Sequence, residues 1–251
     1  MTKKIVFLQA RINSNRLPNK VLLLINGEPM IIRQISRINK SKKIDELIVL
    51  IPDTKENDPL FDYLSKKKIK TFRGDLSNVF DRFLRASVAY PSDVIIRLTA
   101  DCPLFMPDLL DAMLDKFQSY DIDYLSNGIE ETFPDGLDIE IFKSDVLPKL
   151  AKMNLSAQEK EHVTLGIYRR PHLFSIQNYK SSTNMANFRW TVDYLEDFQF
   201  VKKVFTHFLG KEDTFNIEDL LNYIAINPEK NDNKTPNNLR NIALKIEDSI
   251  E

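Results

Sequence analysis

The sequence predicts an α/β fold in which a mainly parallel sheet is covered on both faces by helices. Two observations carry this. Short apolar runs without polar alternation, such as Ile5-Val6-Phe7-Leu8, are how strands buried on both faces read. From Ile5 to Leu98 such runs alternate with segments of helical spacing, the order that crossovers between parallel strands require.

Taken in order, the first strand passes through Gln9-Ala10 into the loop ARINSNRLPNK, residues 10 to 20, which holds Arg11, Arg16 and Lys20 and no acidic residue. Three cations after a first strand read as an anion cradle, or equally as a solvated basic turn. Val21 to Ile25 leads into Asn26-Gly27, a strong turn dipeptide. Ile31, Ile35 and Ile38 recur at helical spacing, predicting a helix over Met30 to Ile38 with Pro29 in a favourable first-turn position. A second strand lies within Ile44 to Ile51, a helix over Pro59 to Lys67, and a third strand over Ile69 to Phe72, ending at Arg73-Gly74-Asp75. Val79 to Ala89 is an amphipathic helix, and Asp93 to Leu98 a fourth strand. Ligands of such sheets bind outside the carboxyl ends of the strands. The basic loop, Arg73-Gly74-Asp75 and Thr99-Ala100-Asp101 are therefore expected on one rim.

The second half is less regular. Helices are expected over Pro107 to Tyr120 and Leu195 to Leu209, and strands over Tyr124 to Asn127, Leu173 to Tyr179 and Arg189 to Asp193. After a turn at Phe133 to Gly136, apolar and acidic residues alternate to Phe142, predicting a strand with one buried face. No repeat or linker divides the chain. A single domain over 1–230 is expected, followed by a polar tail and short helix over 231–251.

At 251 residues and a net charge of −1, the chain can bury a sizeable core but has no overall basic field for nucleic acid or a membrane surface. Any anion site must be local. The single cysteine, Cys102, rules out an internal disulfide and a cysteine-rich zinc site and fits a reducing cytoplasm. The apolar run at the amino terminus is too short for a signal peptide, and no stretch is long enough to span a bilayer.

Asp101 follows the buried strand directly and faces the basic loop. A carboxylate there suits a magnesium ion bridging to phosphate, and also suits a turn or cap before Pro103. Asp193 stands at another strand end, where it reads as a second metal ligand or as a helix N-cap with Glu196 three residues on. His162, beside Glu161, is a site candidate or an ordinary structural histidine. The planar fork of Arg189 suits a substrate carboxylate or phosphate, and Trp190 beside it suits the core. Asp135 and Asp138 flank Gly136 as turn residues or as acceptors for sugar hydroxyls. No P-loop, nucleophile triad or metal-ligating histidine pair is present.

In order, ARINSNRLPNK, GDLSNVFDRF (74–83), RLTADCPL (97–104), PDGLDIEIF (134–142), EHVT (161–164) and WTVDYLEDF (190–198) resemble the cytidylyltransferases that make CMP-sugars. The branch resembled most is the one named for spore-coat polysaccharide biosynthesis protein F, over roughly residues 4 to 209. The resemblance implies a mixed, mainly parallel sheet between helices, Rossmann-like and similar to the nucleotide-diphosphate-sugar transferases. It implies transfer of CMP from CTP to an acidic sugar, such as a nonulosonic acid or a deoxyoctulosonate, with release of pyrophosphate. Ala10, Arg11, Ser14, Arg16 and Lys20 would then hold the nucleotide, with Arg73 bordering it. Asp101 and Asp193 would hold Mg2+, and Arg11, Lys20 and Asp101 would act in catalysis. Asp135, Asp138, His162 and Arg189 are the candidates for the acceptor. The segment 130–171 would shape the acceptor pocket and contribute to a homodimer. Glycine is usual in the family where Asn13 and Asn19 stand, and asparagine tolerates left-handed backbone better than most residues.

Two other readings compete. One is a metal-dependent glycosyltransferase using a nucleotide-sugar donor, which would commonly carry an Asp-x-Asp pair where this chain has Asp101-Cys102-Pro103. The other is a homologue that binds nucleotide without turnover.

Overall fold

The computed structural model describes residues 2–227, so the tail and terminal helix expected over 231–251 lie outside the described residues. The chain begins with β1 (Lys4–Gln9), then a hairpin of β2 (Leu24–Ile25) and β3 (Glu28–Pro29), α1 (Met30–Ile38), β4 (Glu46–Pro52), α2 (Asp58–Lys66), β5 (Thr71–Gly74), α3 (Val79–Ala89) and β6 (Val94–Thr99). The second half holds α4 (Pro107–Ser119), β7 (Tyr124–Ser126), β8 (Glu140–Lys143), α5 (Val146–Ala151), α6 (Ala157–Glu161), α7 (Leu165–Tyr168), β9 (Ile176–Asn178), α8 (Leu195–His207) and α9 (Ile217–Ile226).

Seven strands form one sheet in the order β5-β4-β1-β6-β8-β7-β9. β8 alone among them runs against its neighbours, β6 on one side and β7 on the other. The sheet is therefore mixed and mainly parallel, as expected. Alternate residues of the central strands enter two cores. Val6, Leu8, Val49, Ile51, Ile96 and Leu98 pack with apolar residues of α1, α2, α4, α8 and α9. Ile5, Phe7, Ile48, Leu50 and Ile95 pack with α3 and α5. Burial on both faces explains why these strands carry no polar alternation. In the small hairpin, Asn26 (φ 47°) and Gly27 (φ 82°) both take the left-handed backbone that its tight turn demands.

Two expectations need correction. Arg189 to Asp193 is no strand: only an isolated bridge joins Asp135 to Arg189. Its amides go to different segments, those of Trp190 and Thr191 to the Asp135 carbonyl (2.6 and 3.0 Å) and that of Val192 to the Asp101 carbonyl (2.8 Å), so no ladder forms. The strand expected up to Phe142 forms only over Glu140–Lys143, and Glu140, on the expected polar face, is buried. Upstream, the Asn127 side chain takes over the pairing. Its Nδ2 donates to the Leu137 carbonyl (2.7 Å) and its Oδ1 accepts from the Ile139 amide (2.8 Å).

Candidate active site

A cleft of about 770 Å³ opens over the carboxyl ends of β1 and β6, walled by the 10–20 loop, the start of α3, the end of α6 and Asp193. The loop is pinned rather than free. Ala10 donates to the Leu50 carbonyl (3.0 Å), and Asn19 donates to the Ile12 carbonyl (3.2 Å). The Ile12 side chain is buried, and its amide donates to Asn57 Oδ1 (2.9 Å). Of the two asparagines in glycine positions, Asn19 takes left-handed backbone (φ 58°), whereas Asn13 is not among the residues of positive φ.

Lys20 is the junction of the site. Its Nζ donates to the Val192 carbonyl (2.7 Å), Asp193 Oδ1 (3.1 Å) and Asp101 Oδ2 (3.2 Å). Two carboxylates far apart in sequence thus converge on one ammonium. Arg16 Nη2 reaches the same Asp193 oxygen at 2.8 Å, and its guanidinium lies 5.2 Å from the centre of the Tyr194 ring. Burial would lower the Lys20 pKa, but Asp101 and Asp193 outweigh it and the net shift is upward. Burial likewise pushes the Asp101 carboxyl up, yet Lys20 and the Thr99 hydroxyl bring it down to about 2.

A folded pKa of about 2, against an unfolded value of about 4, gives stability that is fully present above pH 4 and lost as the pH falls through 2. The loss is at most about 2.7 kcal/mol, reduced by solvent screening. Urea unfolding from pH 5 to pH 2 should therefore weaken with acid, and Asp101→Asn should flatten that dependence. An unchanged slope would contradict the ion pair.

The cleft is also lined by Gln9, Arg97, Glu161 and His162. Arg97 pairs with the buried Glu140, which also accepts from the hydroxyls of Tyr124, Thr164 and Tyr168. His162 sits on a turn in which the Thr164 amide donates back to the His162 carbonyl, with buried Val163 at φ 45° between them. For a β-branched residue that conformation is strained, at a cost of about 1–3 kcal/mol. Burial lowers the His162 pKa, leaving the imidazole neutral at pH 7.

Of the residues singled out from sequence, Ala10, Arg11, Ser14, Arg16, Lys20, Asp101, His162 and Asp193 line this cleft. Arg73, Asp135, Asp138 and Arg189 do not. Arg73 turns to Asp58 (2.7 Å), Asp53 (3.2 Å) and the Thr54 carbonyl (3.0 Å). Asp138 accepts from the Gly136 amide (3.3 Å). Arg189 lies behind Asp193, nine-tenths buried, and pairs with Asp135, Asp193 and Asp197. Nor is Asp193 the N-cap: α8 begins after Tyr194, and Asp197 accepts from the amides of both Asp193 (2.8 Å) and Tyr194 (3.0 Å). Arg97 is a lining residue absent from the sequence candidates. Its signal was a charge inside an apolar strand, which needs a buried partner such as Glu140.

A mainly parallel sheet with a basic loop and two carboxylates at its carboxyl edge is an α/β fold with an anion-binding cleft. The chain belongs to the cytidylyltransferase family, whose profile matches residues 5–227. A solved cytidylyltransferase of Leptospira borgpetersenii superposes with a TM-score of 0.87 at 32% identity, covering 94% of this chain and 99% of its own. Spore coat polysaccharide biosynthesis protein SpsF of Bacillus subtilis is 29% identical over 91% of this chain and 97% of its own. A 3-deoxy-manno-octulosonate cytidylyltransferase of Chloroherpeton thalassium is 27% identical over 46% of each chain.

Proposed function

We propose that this protein transfers CMP from CTP to an acidic sugar, releasing pyrophosphate, and that it does so as a homodimer, the assembly its resemblance implies. The observation that carries the reading is the cleft itself, where Arg11, Arg16 and Lys20 stand beside Asp101 and Asp193. The names of the relatives favour a glycan precursor, and 3-deoxy-manno-octulosonate is itself an acid. No helix among the described residues is long and apolar enough to cross a membrane.

In this mechanism an acceptor oxygen attacks the α-phosphorus. The new O–P bond forms as the bond from the α-phosphorus to the bridging oxygen breaks, pyrophosphate leaves with that bond's electron pair, and the acceptor's hydroxyl proton is released to water. Arg11, Arg16 and Lys20 bind the triphosphate and offset the charge that grows on the leaving group. Ser14 adds a hydroxyl to the cradle. His162, neutral and on the cleft wall, can hydrogen-bond the acceptor.

Asp101 and Asp193 offer two hard oxygen donors that already share one cation, Lys20 Nζ, at 3.2 and 3.1 Å. That donor set fits Mg2+, which needs one or two carboxylates and takes its other ligands from phosphate and water. Bound there, Mg2+ would polarise the α-phosphate and neutralise charge. Lys20 is then the natural group to pass from the carboxylates to phosphate oxygens.

A thermal-shift comparison of CTP, UTP, GTP and ATP, each with magnesium, tests the nucleotide. CTP at one hundred times its Kd should add about 2.7 kcal/mol of stability, with the other three behind it. Equal shifts for all four would reject cytosine selectivity. With CTP bound, pyrophosphate should appear on adding acidic sugars and not their neutral counterparts; release with neutral sugars alone would reject the acceptor class.

A further inference from the structure

We propose that Arg189 is a positioning residue that acts through Asp193, fixing one of its carboxylate oxygens so that the other alone faces Lys20 and the divalent cation. This rests on the cytidylyltransferase reading above.

The guanidinium is built into a frame. Its Nε donates to Asp197 Oδ1 (3.1 Å), its Nη1 to Asp135 Oδ2 (2.8 Å), and its Nη2 to Asp193 Oδ2 (2.9 Å) and Asp197 Oδ2 (3.2 Å). Asp193 is thereby divided. Its Oδ2 belongs to Arg189, while its Oδ1 meets Lys20 (3.1 Å) and Arg16 (2.8 Å). The backbone is held by the same partners. Asp197 accepts from the amides of Asp193 and Tyr194, and the Asp135 carbonyl accepts from those of Trp190 and Thr191. Gly136 lets the Asp135 turn lie directly on this segment, since a Cβ there would stand 2.4 Å from the Thr191 nitrogen. Bidentate holding of this kind belongs to arginine; a lysine ammonium cannot bridge three carboxylates in one plane.

Partners one layer outside a metal's ligands orient those ligands, and losing one typically costs about 10- to 100-fold in metal affinity. The readout is the magnesium gain, the ratio of the CTP Kd measured by calorimetry in EDTA to that in magnesium. Arg189→Lys should leave the EDTA value unchanged and reduce the gain about tenfold. In an Asp193→Asn background, Arg189→Lys should have no further effect, because two residues acting through one contact are not additive. A lower Tm with an unchanged gain, or a full additional loss in the Asp193→Asn background, would overturn the inference. If Arg189→Lys does not fold, Asp197→Asn loosens the same frame and should reduce the gain by a smaller factor; an unchanged gain there is equally fatal. A wild type that binds no CTP at all would sink the cytidylyltransferase reading instead. A wild type that binds CTP with a magnesium gain, indifferent to these substitutions, sinks only the role of Arg189.

Discussion

Asp101→Ala should fold and bind CTP in EDTA, yet lose pyrophosphate release by about 10³-fold, the scale of removing one group that stabilises transition-state charge. The fold survives because Lys20 keeps two of its three partners, the Val192 carbonyl and Asp193. Both segments near Asp101 are also tied through its carbonyl, which accepts from the Val192 amide (2.8 Å) and the Thr191 hydroxyl (3.2 Å) and is untouched by the substitution. What disappears is one of the two oxygens that converge at the head of the cradle. Steady-state pyrophosphate release with CTP, magnesium and an acidic sugar measures it. Release at the wild-type rate would remove Asp101 from the chemistry.

Lys20→Met should have the largest effect on stability of any change in the cradle. Its ammonium is nine-tenths buried and is shared by two carboxylates, so removal leaves two like charges facing each other. Breaking a buried pair costs about 3–5 kcal/mol, and the partial exposure of Asp101 places this case near the lower end. CTP binding should weaken at least about tenfold through the lost phosphate contact. The sharper expectation is that magnesium returns stability to this variant. With the ammonium gone, the paired oxygens are open to a dication, and Tm in millimolar magnesium should rise toward the wild-type value. A variant as stable as wild type in EDTA, or one insensitive to magnesium, would contradict the shared-cation geometry.

The parallel half of the fold was legible because its central strands β1, β4 and β6 are buried on both sides and its crossover helices carry apolar stripes, as at Ile31, Ile35 and Ile38 in α1. The later half was less so. α5, α6 and α7 are six, five and four residues long, too short to display a period, and Arg189 to Asp193 looked like a strand because burial on both sides looks alike whether or not a ladder forms. α9 was passed over although Asn216 and Asp219 cap it reciprocally. In the site, the cradle was readable from uncompensated charge on a single loop. Arg189 was legible as a site candidate but not in its surroundings, because a sequence gives the charge of a side chain but not whether three carboxylates already surround it. The same limit hid Arg97 with Glu140, a pair made across neighbouring strands (Arg97 opposite Glu140) and invisible until their register is known.

That register has a last implication. Because β8 enters beside β6 head to tail, the chain approaches the cleft at the beginning of β8 and leaves it at the far end, and only the four pairings from Val94–Lys143 to Arg97–Glu140 stitch it there. That ladder is short, and the later half is tied back to the first by other contacts as well: Lys20 to Asp193 and the Val192 carbonyl, and the Asp101 carbonyl to the Val192 amide and Thr191 hydroxyl. Because Asp193 reaches the cleft from that later half, the two halves complete one site between them and neither carries it alone.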